Sequence, residues 1–175
     1  MSLAEKAGML FQTMIVVGSG DLSEPDWAFR VSSAEYMIKE QQLSHFNVIR
    51  AADNARTLAE WQNRLQKLAA STRLGIPVTL STDPRHHFTE NVGTAAAAGA
   101  FSQWPETLGL AAIGSAELVQ RFGDIARQEY LAVGLRLALH PQVDLATEPR
   151  WSRINGGFGE DADLTSKLVQ AYIRG

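Results

Sequence analysis

The sequence predicts an α/β fold in which strands run parallel and alternate with helices. Three observations predict it. Strand-length apolar runs alternate with segments of helical period along most of the chain. The turns that lead from helix to strand are short, Leu74-Gly75 and Gly134, while the loops that leave the strands are long. The clearest strands stop abruptly, one at Ser81-Thr82-Asp83-Pro84 and one at His140-Pro141. Parallel neighbours need crossover connections, usually helices. Long loops after strands and tight turns before them describe a (β/α) barrel, whose site forms at the C-terminal ends of its strands. An open doubly wound sheet would show the same alternation.

The elements follow in order. Ser2 to Gln12 reads as a helix capped by Ser2 with Glu5 three residues on, and Leu3, Ala7, Leu10 and Phe11 share one face. Met14 to Val17 is a short strand ending at Gly18-Ser19-Gly20. Residues 32–42 read as helix and Phe46 to Ile49 as strand. From Asn54, Leu58, Trp61, Leu65 and Leu68 recur at helical spacing until Gly75 and Pro77 forbid continuation. Val78 to Leu80 is a buried strand. Residues 84–107 form a long, Gly- and Ala-rich connection, and a connection of that length is usually functional. Ser115 caps a helix with Leu118, Phe122, Ile125, Tyr130 and Val133 along it. Leu135 to Leu139 is the next strand, and a second long loop runs from Gln142 to about Asp161. The last helix runs from about Ala162 to Arg174, with Leu164, Leu168, Tyr172 and Ile173 inward.

The bulk numbers narrow the function classes. A length of 175 residues suits one core, and 45% hydrophobic with 20% charged residues excludes a disordered chain. The net charge is −3 and the basic residues are scattered, so no nucleic-acid partner is expected. With no cysteine there is no disulfide, thiolate metal site or Cys nucleophile. No apolar run approaches the roughly 20 residues that span a bilayer, so no membrane partner is expected. No signal peptide is visible at the start, which favours a cytoplasmic location.

Several residues could carry chemistry. Asp83 follows directly on an apolar strand, at the active face of either architecture, where a turn-capping role before Pro84 is the competing reading. Arg150 and Arg153 flank Trp151 in the second loop. An Arg fork suits vicinal hydroxyls or a carboxylate, and a structural salt bridge is the alternative. Trp151 either stacks on a ligand or packs its loop. Glu160 and Asp161 read as caps of the last helix. Asp144 fits a structural hydrogen bond as well as a site. His86 and His87 are adjacent and point apart, with no third ligand spaced to help, so no metal site is expected. His140 reads as a hydrogen-bonded structural histidine. Two glycine patterns, Gly18-Ser19-Gly20 and Gly156-Gly157-Phe158-Gly159, invite a phosphate reading on an open sheet. The first lacks a helix start and the second is followed by two carboxylates, so sharp turns or close backbone approach explain them better, and no cofactor is expected.

Four stretches together resemble glycoside hydrolase family 3, the family of many β-glucosidases. They are Leu3-Ala-Glu-Lys-Ala-Gly-Met9, Arg73-Leu-Gly-Ile-Pro-Val78 leading to Asp83, His140-Pro-Gln-Val-Asp144 with Glu148-Pro-Arg-Trp-Ser-Arg153, and Phe158-Gly-Glu-Asp161. The resemblance implies that residues 1–175 are the N-terminal portion of a (β/α)8 barrel, holding about three βα units of a fold that takes about 250 residues. It implies hydrolysis of terminal β-D-glucosidic bonds with retention, through an aspartate nucleophile and a glutamate acid/base. In the family pattern those two groups, and a Lys-His pair that grips the sugar, follow the stretch matched here, so no catalytic residue is assigned within it. Asp83 and Arg153 are then substrate-binding residues for a β-glucoside or oligosaccharide. Gly156 stands where many members have Glu, and Ser152 replaces a common Gly. Ser81-Thr-Asp-Pro-Arg-His86 differs from the Asp-Gln-Glu-Gly-Gly of the N-acetylglucosaminidases. The alternative expectation is a non-catalytic barrel fragment that associates with itself, or with a complementary fragment, through exposed barrel edges.

Overall fold

The computed structural model describes residues 1–17, 21–50, 54–82, 86–87 and 101–175. Four parallel strands form one sheet: β1 (Gln12–Val16), β2 (His45–Arg50), β3 (Thr79–Thr82) and β4 (Leu137–Ala138). The helices are α1 (Leu3–Gly8), α2 (Ala34–Lys39), α3 (Ala55–Ala70), α4 (Thr107–Ile113), α5 (Ala116–Ala132) and α6 (Ala162–Arg174). A single 3₁₀ turn spans Ile154–Gly156.

The strand order is β1-β2-β3-β4. Each strand lies beside the one before it, and the order does not reverse as it does in a doubly wound sheet. One face of the sheet is packed: Phe46 and Leu80 are in register and fully buried, as are Ile15 and Val48 one step along. The opposite face carries Met14, Asn47, Ser81 and Leu137 in register. There Met14 and Leu137 remain 49% and 42% exposed. A polar chain crosses that face: Gln12 Nε2 donates to Ser81 Oγ (2.8 Å), and Ser81 Oγ donates to Asn47 Oδ1 (3.2 Å). A sheet covered on one side, with its strands in sequential order, is an arc of a (β/α) barrel.

The helices form for the reasons the sequence indicates. Ser2 and Glu5 make a capping box at α1, Asn54 accepts from Thr57 N at α3, and Ser115 accepts from Leu118 N at α5. Along α3, Leu58, Trp61 and Leu65 are buried in the core. Gly134, at φ +83°, makes the tight turn from α5 towards β4.

The first helix and the last differ from expectation. The Leu3, Leu10 and Phe11 face is exposed, and α1 stops at Gly8 rather than running to Gln12. Its buried residues are Glu5 and Gly8. A Cβ on Gly8 would stand 2.6 Å from the Gln41 carbonyl oxygen, so this helix seats its backbone, not an apolar stripe. Ile173 is likewise 70% exposed, because α6 turns Thr165, Leu168 and Ala171 inward. The segment between the long connection and Ser115 forms α4, ended by Gly114 in the left-handed region.

Two predictions arise here. Gly123 of α5 lies against α6, where a Cβ would stand 2.5 Å from the Tyr172 carbonyl oxygen. Gly123→Ala should therefore push the two helices apart and destabilise the fold by about 1–3 kcal/mol, read by urea unfolding. Glu5 is paired with Arg73, whose Nε donates at 2.8 Å, and this holds the Glu5 carboxyl at about 2 instead of 4.5. A depressed carboxylate contributes stability that is present above its unfolded value and lost as pH falls towards the folded one. Between pH 4.5 and 2 the melting temperature should fall faster than it does in Glu5→Gln. Parallel acid profiles for the two proteins would exclude this pair as a contributor.

Candidate active site

Strands β3 and β4 end side by side. Leu139 N donates to the Thr82 carbonyl (3.2 Å), so the two chains leave the sheet next to each other. Asp83 is the residue after Thr82 and lies outside the described residues, as do Pro84 and Arg85. The Gly18-Ser19-Gly20 turn falls outside them too.

Past Arg85, His86 is 1% exposed and has φ +55°. The His86 carbonyl accepts from Trp104 N. Its Nδ1 lies 3.1 Å from Tyr130 Oη, within hydrogen-bond reach, and its Nε2 lies 2.8 Å from Glu129 Oε2 without the geometry of a hydrogen bond. Glu129 Oε2 also accepts from Ser102 N (2.9 Å) and Ser102 Oγ (3.2 Å). Tyr130 Oη is 3.4 Å from His140 Nε2, in the loop after β4. The ring of Phe101 covers His86 at a centroid distance of 4.9 Å. Burial lowers the His86 pKa, against the opposite pull of Glu129, so the ring favours its neutral form. The sequence offers no periodic cue to this cluster, because His86 and Tyr130 are 44 residues apart. His140 is hydrogen-bonded, in line with its structural reading.

The β4 loop folds onto α4. A Cβ on Gly157 would stand 2.7 Å from the Asp144 carbonyl oxygen, Gly159 adopts φ +101°, and Ala146 N donates to the Gly159 carbonyl (2.9 Å). Phe158 is buried at 2% exposure. These glycines therefore serve close approach and turning, as read from the sequence. Asp161 caps α6 by accepting from Leu164 N (2.7 Å), Glu160 is exposed, and the Asp144 side chain is exposed.

The two arginines separate clearly. Arg150 is bound to Glu148 through Nε and Nη2 (2.8 and 2.9 Å), and that pairing holds the Glu148 carboxyl at about 2. Arg153 stands at the start of the 3₁₀ turn, exposed, and among the described residues no carboxylate pairs with it. Its backbone is fixed, with Gly156 N donating to the Arg153 carbonyl (3.0 Å). Trp151 is half-buried beside them. A guanidinium on a fixed backbone, with no carboxylate partner among the described residues, has its donors available to a hydroxyl or carboxylate ligand.

The family model described as the glycosyl hydrolase family 3 N terminal domain matches residues 3–175. The chain belongs to this family. It is 54% identical over its whole length to beta-glucosidase C of Emericella nidulans and covers 28% of that protein. It is 51% identical to the periplasmic beta-glucosidase/beta-xylosidase of Dickeya chrysanthemi, and covers all of this chain and 27% of that one. The chain thus spans a little over a quarter of the length of these family 3 relatives. In fold, it matches a beta-glucoside phosphorylase with a TM-score of 0.78 at 20% identity, covering all of this chain and 28% of that one. A family 3 beta-N-acetylglucosaminidase from Paenibacillus matches with a TM-score of 0.72 at 20% identity, covering 99% and 30%. Both likenesses agree with a partial family 3 barrel. No helix among the described residues is long and apolar enough to cross a membrane.

Proposed function

We propose that these 175 residues form the N-terminal portion of the catalytic barrel of a family 3 β-glucosidase and supply part of its sugar-binding subsite. The single observation that supports this best is identity of 51–54% over the whole chain to a protein named beta-glucosidase C and to one named periplasmic beta-glucosidase/beta-xylosidase. In this reading the intact enzyme hydrolyses terminal β-D-glucosidic bonds with retention. Asp83 and Arg153 grip the sugar hydroxyls from the adjoining β3 and β4 loops. The nucleophile and acid/base that attack and protonate the glycosidic bond lie in other parts of the enzyme. In this reading Arg153 donates to vicinal hydroxyls of the sugar.

The test is an enzyme in which this chain replaces the matching 28% of the Emericella relative. In that chimera, Arg153→Ala should lower kcat/KM on an aryl β-glucoside by about 10–10³-fold. The melting temperature should not change, because the side chain is exposed and unpaired among the described residues. Unchanged kcat/KM would remove Arg153 from the subsite.

The open sheet face supports a second reading. Met14, Leu137 and Leu139 are 49%, 42% and 44% exposed. A chain on its own with that face uncovered would associate with another copy or a complementary barrel segment. Sedimentation of the 175-residue chain across a hundredfold concentration range checks this, and a dilution-stable monomer would count against it.

A further inference from the structure

Resting on the assignment of Arg153 to the sugar, we propose that Gly157 is a positioning residue: its bare backbone, seated on the Asp144 carbonyl, sets where the Arg153 guanidinium stands.

The loop after β4 leaves the sheet and folds back on itself. Its outgoing arm starts from Leu139, whose N–H donates to the Thr82 carbonyl at the end of β3 (3.2 Å). The returning arm meets the outgoing one at two points. Ala146 N donates to the Gly159 carbonyl (2.9 Å), and a Cβ on Gly157 would stand 2.7 Å from the Asp144 carbonyl oxygen. Between these two contacts Phe158, 2% exposed, anchors the returning arm in the hydrophobic core.

Arg153 is tied to that seat by the 3₁₀ turn over Ile154–Gly156. Gly156 N donates to the Arg153 carbonyl (3.0 Å) and Gly157 N to the Ile154 carbonyl (3.4 Å). A turn closed by i→i+3 bonds is short and tightly wound, and α4 packs against it. Packed elements transmit a displacement rather than absorb it, so a shift at Gly157 reaches Arg153. The Arg153 side chain is exposed and pairs with no carboxylate among the described residues, so its reach is set by its backbone.

Conformation does not require glycine at 157. Its φ of −96° and ψ of 174° are open to any residue, and the contact with Asp144 alone excludes a side chain. Gly159 differs, because its φ of +101° itself calls for glycine. The group facing Gly157 is backbone and cannot swing aside, so alanine must push the two arms apart. Displacement of a binding group by even 1 Å is enough to cost substantial activity.

The test uses the same chimeric enzyme with an aryl β-glucoside. Gly157→Ala should raise KM by about three- to tenfold, and the inhibition constant of glucose with it, while kcat changes by less than about twofold. A role in folding alone would lower the melting temperature and the yield of active enzyme but leave KM and the glucose constant where they were. Phe158→Leu loosens the same seat without adding a Cβ at 157 and should move KM in the same direction. It decides the matter if Gly157→Ala does not fold. Either substitution on an Arg153→Ala background completes a cycle, and its effect on KM should vanish once the guanidinium is gone. Effects that multiply would overturn the positioning role. So would an unchanged KM in a folded Gly157→Ala enzyme or, where that variant does not fold, in Phe158→Leu. An Arg153→Ala variant as active as its parent would instead overturn the subsite assignment beneath it.

Discussion

Asp83→Ala, in the intact enzyme carrying this chain, is expected to lower kcat/KM for an aryl β-glucoside by about 10³–10⁴-fold, the largest effect of any substitution outside the catalytic pair. A carboxylate one residue beyond a parallel strand stands at the face where barrel enzymes bind substrate. When ionised it accepts hydrogen bonds only, so it suits sugar hydroxyls, which are good donors. Removing it leaves those hydroxyls without their acceptor, and an unpaired polar group costs more than an average hydrogen bond contributes. Asp83→Asn keeps an acceptor without the charge and should fall between wild type and alanine. The measurement is steady-state hydrolysis beside the melting temperature of each variant. A loss of activity that tracks a loss of folding would assign Asp83 to the turn before Pro84.

Trp61→Ala should destabilise the fold by about 3–5 kcal/mol, measured by urea unfolding. Trp61 is 2% exposed in the middle of α3, between Leu58 and Leu65, on the helix face buried in the core. Its removal leaves a large void in the core, which neighbouring side chains fill only in part. A cost below about 1 kcal/mol would mean that α3 repacks freely and is not a rigid wall of the barrel.

The strands and long helices were legible because their burial is periodic. Trp61 and Leu65 recur at helical spacing, and Phe46 and Val48 alternate as a strand requires. The direction of the sheet was legible from Gly134 and the short turns before strands. The helix faces at the two ends were not. Leu3 and Ile173 are exposed because the sheet arc leaves its flanks and one face open, and a pattern rule assumes every apolar stripe is covered within the chain. Helix α4 was missed because Thr107–Ile113 is short and offers no side-chain cap, Glu106 making no capping bond.

The residues of the proposed subsite were nominated for a different reason. Arg153 and the strand end before Asp83 lie in contiguous motifs. The structure added a choice between two arginines, since Glu148 engages Arg150 and leaves Arg153 free of described carboxylates. The His86 cluster escaped because it is made of contacts between distant residues, one of them a carboxylate on a helix whose spacing marks it only as a surface position.

The central claim is that this chain is the sugar-gripping part of a family 3 barrel. The most direct measurement compares hydrolysis of a chromogenic β-glucoside by the isolated 175 residues with that by the chimera in which they replace the matching segment of the Emericella relative. The expected result is no turnover by the isolated chain and turnover by the chimera that falls sharply in Asp83→Ala. A folded chimera without activity, or an isolated chain that hydrolyses the glucoside, would contradict it.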